Sequence, residues 1–137
     1  MQIFEVKFIL EKIQADDRIL DEIRDQIELA RTAAGPSSPV LSDMPKSRTN
    51  NHRDLSDHYA KYEMLLKAEN RVLAERDRHV KAAQALICRC DSETTQVILE
   101  MYYIHGISRK DISVITGKKY KTVTKTISRG LEKIAAA

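Results

Sequence analysis

Residues 106–137 read GISRKDISVITGKKYKTVTKTISRGLEKIAAA, and the stops at Gly106 and Gly117 decide how the carboxyl-terminal part folds. Ser108-Arg109-Lys110-Asp111 is a capping-box variant: a hydroxyl that can accept a backbone N–H, followed three residues later by a carboxylate. It opens a helix with Ile112 and Ile115 as the expected inward positions, and Gly117 ends that helix after barely two turns. From about Tyr120 to Ala135, Val123, Ile127, Leu131 and Ile134 share one face at helical spacing. Upstream, Asp91-Ser92 supplies N-cap chemistry, and Val97, Ile98, Met101 and Tyr102 form a short apolar face. Residues 91–137 therefore predict three short helices joined by glycine-marked turns, with Tyr102 in their core.

The segments before this module have a longer period. Val6, Ile13, Leu20, Ile27 and Ala34 form a seven-residue row in residues 1–34, and Ile9, Ile23 and Ala30 most of a second row, with Asp16 as the interruption. A second ladder, Tyr59, Leu66, Leu73, Val80 and Ile87, runs through residues 55–90 and is widened by Leu65, Val72 and Leu86. Each implies a helix of roughly 45–55 Å at about 1.5 Å per residue. Residues 35–54, GPSSPVLSDMPKSRTNNHRD, read as a flexible Pro/Ser/Asn linker that cannot bury enough to order itself. If the long helices fold back on each other with Val6 beside Leu86, Asp16 falls opposite Arg76, and one polar pair specifies the register. The same seam can instead be filled by a second copy.

The whole chain is 137 residues, 31% charged and 42% hydrophobic, with 5% aromatics and no Trp. That suits one small domain plus helical extensions and excludes a large multi-site enzyme. No apolar run is long enough to span a membrane, and the basic n-region of a secretory signal is missing, so a cytoplasmic address is expected. Cys88 and Cys90 stand in a C-x-C spacing that fits neither a redox pair nor a zinc pair, and read as reduced structural thiols. His52, His58, His79 and His105 have no carboxylate or nucleophile at useful spacing. No catalytic residue, metal site or cofactor is expected; His105 reads as a turn residue and His79 as a flank of the second ladder.

Charge is distributed unevenly. Residues 1–34 hold five basic and eight acidic side chains, whereas 106–137 hold eight basic ones against Asp111 and Glu132. Once Val123, Ile127 and Leu131 turn inward, Lys121, Thr122, Thr124, Lys125, Ser128 and Arg129 occupy the outward face of the last helix. Small hydroxyl and amine side chains let a helix sit deep in a major groove, where Lys donates to guanine and Thr meets a thymine methyl. Nearby Lys and Arg neutralise phosphates. Tyr120, Lys121, Thr124 and Lys125 are assigned to base edges; Thr122, Ser128, Arg109, Lys118, Lys119 and Arg129 are assigned to the backbone.

The run from Met101 to Gly117, MYYIHGISRKDISVITG, resembles the start of region 4 of bacterial sigma factors: an apolar helix, a Gly-x-Ser turn, an acidic-Ile-small triplet and a second Gly. Thr122-Val123 and Arg129-Gly130-Leu131-Glu132-Lys133-Ile134 extend the likeness into the recognition helix. In layout the whole chain is similar to phage and prophage late-gene regulators of the RinA/ArpU type. Three positions depart from the pattern. Ser113 replaces the usual Ala at the helix crossing, Lys119 stands where a capping Ser or Thr is usual, and Thr126 occupies a usually apolar place that Ile127 takes over.

The expected protein is all-α and non-enzymatic: two long heptad-patterned helices, as an antiparallel hairpin or coiled coil, followed by a three-helix helix-turn-helix module. Double-stranded DNA is the expected partner, homo-oligomers can form through the long helices, and the resemblance implies contact with RNA polymerase at a phage promoter. Two rival readings are a phage small terminase-like packaging protein and a coiled-coil adaptor that binds protein without DNA.

Overall fold

The computed structural model describes residues 1–34 and 48–137. Every element among them is helical: α1 (Ile3–Ala34), α2 (Arg48–Ile87), α3 (Glu93–Leu99) running into a π-helical turn (Glu100–Ile104), α4 (Arg109–Thr116) and α5 (Tyr120–Ala136). The all-α class and the succession of two long helices and a small module are as the sequence predicts. Residues 48–54, expected in the linker, belong to α2. They contain neither Gly nor Pro, so no helix breaker lies among them. The rest of the expected linker, 35–47, lies outside the described residues.

The chain divides into two compact units, Arg18–Leu73 and Met1–Asp17 with Ala74–Ala137. In the first, α1 and α2 run antiparallel, with Arg24 Nε donating to Glu69 Oε2 at 3.2 Å and Leu20 and Ala30 buried. Most of the expected ladder on α2 faces inward: Leu86 and Ile87 are buried, and Leu65, Leu66, Val72 and Val80 are half-buried. Tyr59 and Leu73 are exposed, while Tyr62, Leu65, Glu69 and Val72 are half-buried at alternating spacings of three and four. Apolar periodicity includes Leu65 and Val72 but not Glu69, a glutamate that holds its place between them through Arg24 of the facing helix.

The second unit has one core. Val6, Leu10 and Ile13 of α1, Ala83, Leu86 and Ile87 of α2, and Cys90 pack with Ile98, Leu99, Tyr103, Ile104, Ile112, Val123, Ile127, Leu131 and Ile134. The polar contacts correct the expected register. Asp16 is buried and hydrogen-bonds to His79 Nδ1, while Arg76 Nε donates to Asp17 Oδ1. The compact imidazole fits against the buried carboxylate. The longer guanidinium reaches the neighbouring, more exposed one, and its Nη2 extends to the carbonyl of Ile104 at 3.3 Å.

That carbonyl belongs to the π-helical turn, which also explains a second correction. With i→i+5 bonding, as in His105 N–H to Glu100 C=O, the turn holds about one residue more than an α turn. Tyr103 and Ile104 are thereby brought under Ile98 and Leu99, and these four are buried. The expected face of Val97, Ile98, Met101 and Tyr102 assumed an unbroken α period; Val97 is exposed, and Met101 and Tyr102 are half-buried against the core edge. Gln14 Nε2 donates to the Tyr102 carbonyl at 3.1 Å, so α1 and α2 each supply a donor to this turn.

Gly130 is buried where α5 crosses α3, and a Cβ there would lie 2.9 Å from both Leu99 Cδ1 and Thr95 Cγ2. The Cys90 thiol points at the Gly130 carbonyl at 3.5 Å, and burial pushes its pKa up. Gly130→Ala gains about 1 kcal/mol of helix propensity but overpacks a fully buried leucine and a stiff β-branched side chain at about 1–3 kcal/mol. The expected result is a lower melting temperature by circular dichroism; an increase would show that Leu99 moves aside freely.

Burial, with smaller contributions from Tyr102 and Glu11, pushes the Tyr103 hydroxyl up to about 12. A raised folded-state value favours the protonated form. The stability it contributes is therefore complete below the unfolded value of about 10 and is lost as pH rises toward the folded one. Urea midpoints measured across that alkaline range should fall more steeply for the unmodified chain than for Tyr103→Phe, which has no phenol to ionise.

Candidate nucleic-acid interface

The site is built from α4, the turn after it and α5. Ser108 caps α4, its Oγ accepting from the Asp111 N–H at 3.2 Å, as the capping-box reading expects. Ile112 is fully buried, and Thr116 one turn on donates its hydroxyl to the Ile112 carbonyl. Ile115, expected to face inward, is 59% exposed, and Val114 is 81% exposed. An eight-residue helix presents only one row to the core, and Ile112, Ser113 and Thr116 fill it.

Gly117 ends α4 with φ +71°, in the left-handed region that bends the chain toward α5. Ser113, the residue in place of the usual alanine, donates its hydroxyl to the Lys118 carbonyl and ties α4 to this turn. Lys119 is the N-cap of α5 and makes no side-chain cap bond. The first intrahelical bond runs from the Val123 N–H to the Lys119 carbonyl at 3.0 Å. The N–H groups of Tyr120, Lys121 and Thr122 therefore stand at the positive end of the helix dipole, beside lysines.

Val123, Ile127, Gly130, Leu131 and Ile134 are buried along one side of α5, which sets its rotation. Ile127 occupies the core and Thr126 is half-buried, its hydroxyl bonded to the Thr122 carbonyl. On the outward side Lys119, Tyr120, Lys121, Thr122, Lys125, Ser128 and Arg129 are exposed. Lys118 and Thr124 are half-buried, and the Thr124 hydroxyl donates to the Tyr120 carbonyl at 3.1 Å. Nine of the ten residues assigned from sequence thus lie along α5 and the turn that precedes it. The tenth, Arg109, opens α4.

Arg109 is half-buried, with its guanidinium carbon 5.2 Å from the centre of the Tyr102 ring. Its Nε is enclosed and has no hydrogen-bond partner. Tyr102, Ser108, Arg109, Lys110 and Tyr120 line an open cleft between the amino-terminal ends of α4 and α5. Three of these are not among the site residues expected from sequence: Ser108, which the sequence reads as a cap, Lys110 and Tyr102. Lys110 enters the sequence reading only as charge, although its place in the first turn of a capped helix signals its position. Tyr102, a core residue by the sequence reading, rests on the core edge with its ring under Arg109, a placement that follows from the π-helical turn.

Residues 92–134 match the family model for sigma-70, region 4. The carboxyl-terminal module is a sigma region 4-like helix-turn-helix, the class of domain that binds DNA, with α4 and α5 as its two helices. No curated protein and no solved structure matches the chain. No described helix is long and apolar enough to cross a membrane.

The left-handed turn is the hinge on which the angle of α5 depends. Nothing lies within 4 Å of a Cβ placed on Gly117, so Gly117→Ala introduces backbone strain without a clash. The expected cost is about 1–2 kcal/mol, read as a lower urea midpoint. An unchanged midpoint would show that the turn relaxes without strain.

Proposed function

We propose that the chain is a sequence-specific, DNA-binding transcriptional regulator whose α5 enters the major groove. The observation that carries this reading is the outward side of α5: small hydroxyl side chains interleaved with Lys121, Lys125 and Arg129, opposite a fully buried apolar row. Tyr120, Lys121, Thr124 and Lys125 face base edges. Thr122, Ser128, Lys118, Lys119 and Arg129 hold the backbone, consistent with contacts that position flanking contacts that specify. Arg109 and Lys110 offer a phosphate the cleft beside Tyr102.

The finer reading follows the layout shared with RinA/ArpU-type regulators: activation of phage or prophage late genes from the cytoplasm of a bacterial host, with contact to RNA polymerase. Val114 and Ile115, exposed on α4, supply an apolar surface for such a protein contact.

Selecting bound fragments from a genomic library, followed by fluorescence anisotropy on the enriched duplex, tests the DNA reading. Affinity should fall steeply with salt, as counterion release requires. Lys125→Ala should weaken binding to the selected duplex by roughly tenfold, the loss of about 1–3 kcal/mol expected for one base contact. Equal affinity for the variant at moderate salt removes Lys125 from the surface. Failure of the unmodified chain to bind any duplex at low salt removes the DNA reading and favours the adaptor.

A further inference from the structure

The first three turns of α1 are apolar on two sides. Val6, Leu10 and Ile13 are fully buried in the core, yet Phe4 and Phe8 on another side are 65% and 64% exposed. Together with Met1, Glu5, Ile9 and Lys12 they line a groove. Two phenylalanines four residues apart on a helix surface form a contiguous apolar patch of the kind that marks an interaction site. This patch lies wholly within the unit that carries α3–α5.

The charges around the patch favour one occupant. Glu5 and Lys12 are seven residues apart and so share a side of the helix, with Phe8 between them. Lys12 Nζ sits 5.0 Å from the centre of the Phe8 ring. An acid, an aromatic and a base in that order complement themselves when one copy is turned end for end. A two-fold axis through Phe8 sets Glu5 of each copy against Lys12 of the other, with the aromatic rings between them. Side-by-side parallel helices would instead oppose acid to acid and base to base.

We propose that this face seats a second copy of the same chain, in an antiparallel two-fold dimer of α1 helices centred on Phe8. The inference rests on this surface alone and does not depend on the DNA reading. A single helix face is smaller than the roughly 800 Å² per partner of a standard interface, so the dimer is a reversible one.

Sedimentation velocity over a concentration series provides the test. The unmodified chain should shift from monomer to dimer with rising concentration. Phe4→Ser/Phe8→Ser should remain monomeric with an unchanged melting temperature, because neither ring is in the core. Glu5→Lys and Lys12→Glu should each weaken the dimer about tenfold, and the two together in one chain should restore it. A chain that stays monomeric at its solubility limit overturns the proposal. A dimer that survives loss of both rings overturns it too, as does failure of the double charge reversal to restore association. DNA affinity on the same samples is a separate readout, so loss of the dimer and loss of DNA binding are distinguishable.

Discussion

Burial of one side of α5 is the constraint on which the other features depend. Val123, Ile127, Leu131 and Ile134 contribute on the order of 1.5–3 kcal/mol each by leaving water. With these four fixed, the helix has one rotational setting. Lys121, Lys125 and Arg129 are then exposed because the buried row leaves them no other place. Gly130 belongs to the same constraint, since the close crossing of α3 and α5 leaves no room for a side chain. The same packing holds α5 at a fixed setting within the helix-turn-helix, which the proposed groove contact requires.

The core that receives α5 is not confined to the helix-turn-helix. Val6, Leu10 and Ile13 from α1 and Ala83, Leu86 and Ile87 from α2 enter it, so a module of three short helices gains apolar area from the ends of two long ones. The π-helical turn is where the two parts are joined by polar contacts. Its altered spacing brings Tyr103 and Ile104 inward, and Gln14 and Arg76 donate to the carbonyls of Tyr102 and Ile104. Arg76 also pairs with Asp17, so one guanidinium links both long helices to the end of that turn. Removing it would leave polar groups without partners in a partly buried setting, which costs more than the ion pair itself contributes.

Much of this was legible from residue order because it rests on local chemistry. Ser92 and Ser108 have hydroxyls suited to capping, Gly106 and Gly117 take positive φ, and Val123, Ile127, Leu131 and Ile134 repeat at the helical period; each is where the sequence put it. The candidate interface followed, since a buried row defines its opposite. The misreadings occurred where a neighbour overrode the local pattern. Ile115 is apolar and correctly spaced, but α4 has only one row in contact with the core. Tyr59 and Leu73 read as seam residues, although the seam of α2 passes through Glu69, Arg76 and His79, whose partners are on α1.

Residue order by itself determined the helical class, the caps and stops, and the concentration of positive charge at the carboxyl end. These depend on backbone preferences and side-chain periods that act over a few residues. Tertiary structure decided which residue of a polar pair meets which, how the π-helical turn re-aims Tyr103 and Ile104, and that Arg109 lies over Tyr102 with an unpaired nitrogen. Those outcomes depend on side-chain length and on distances between segments far apart in the chain, and no local pattern encodes them.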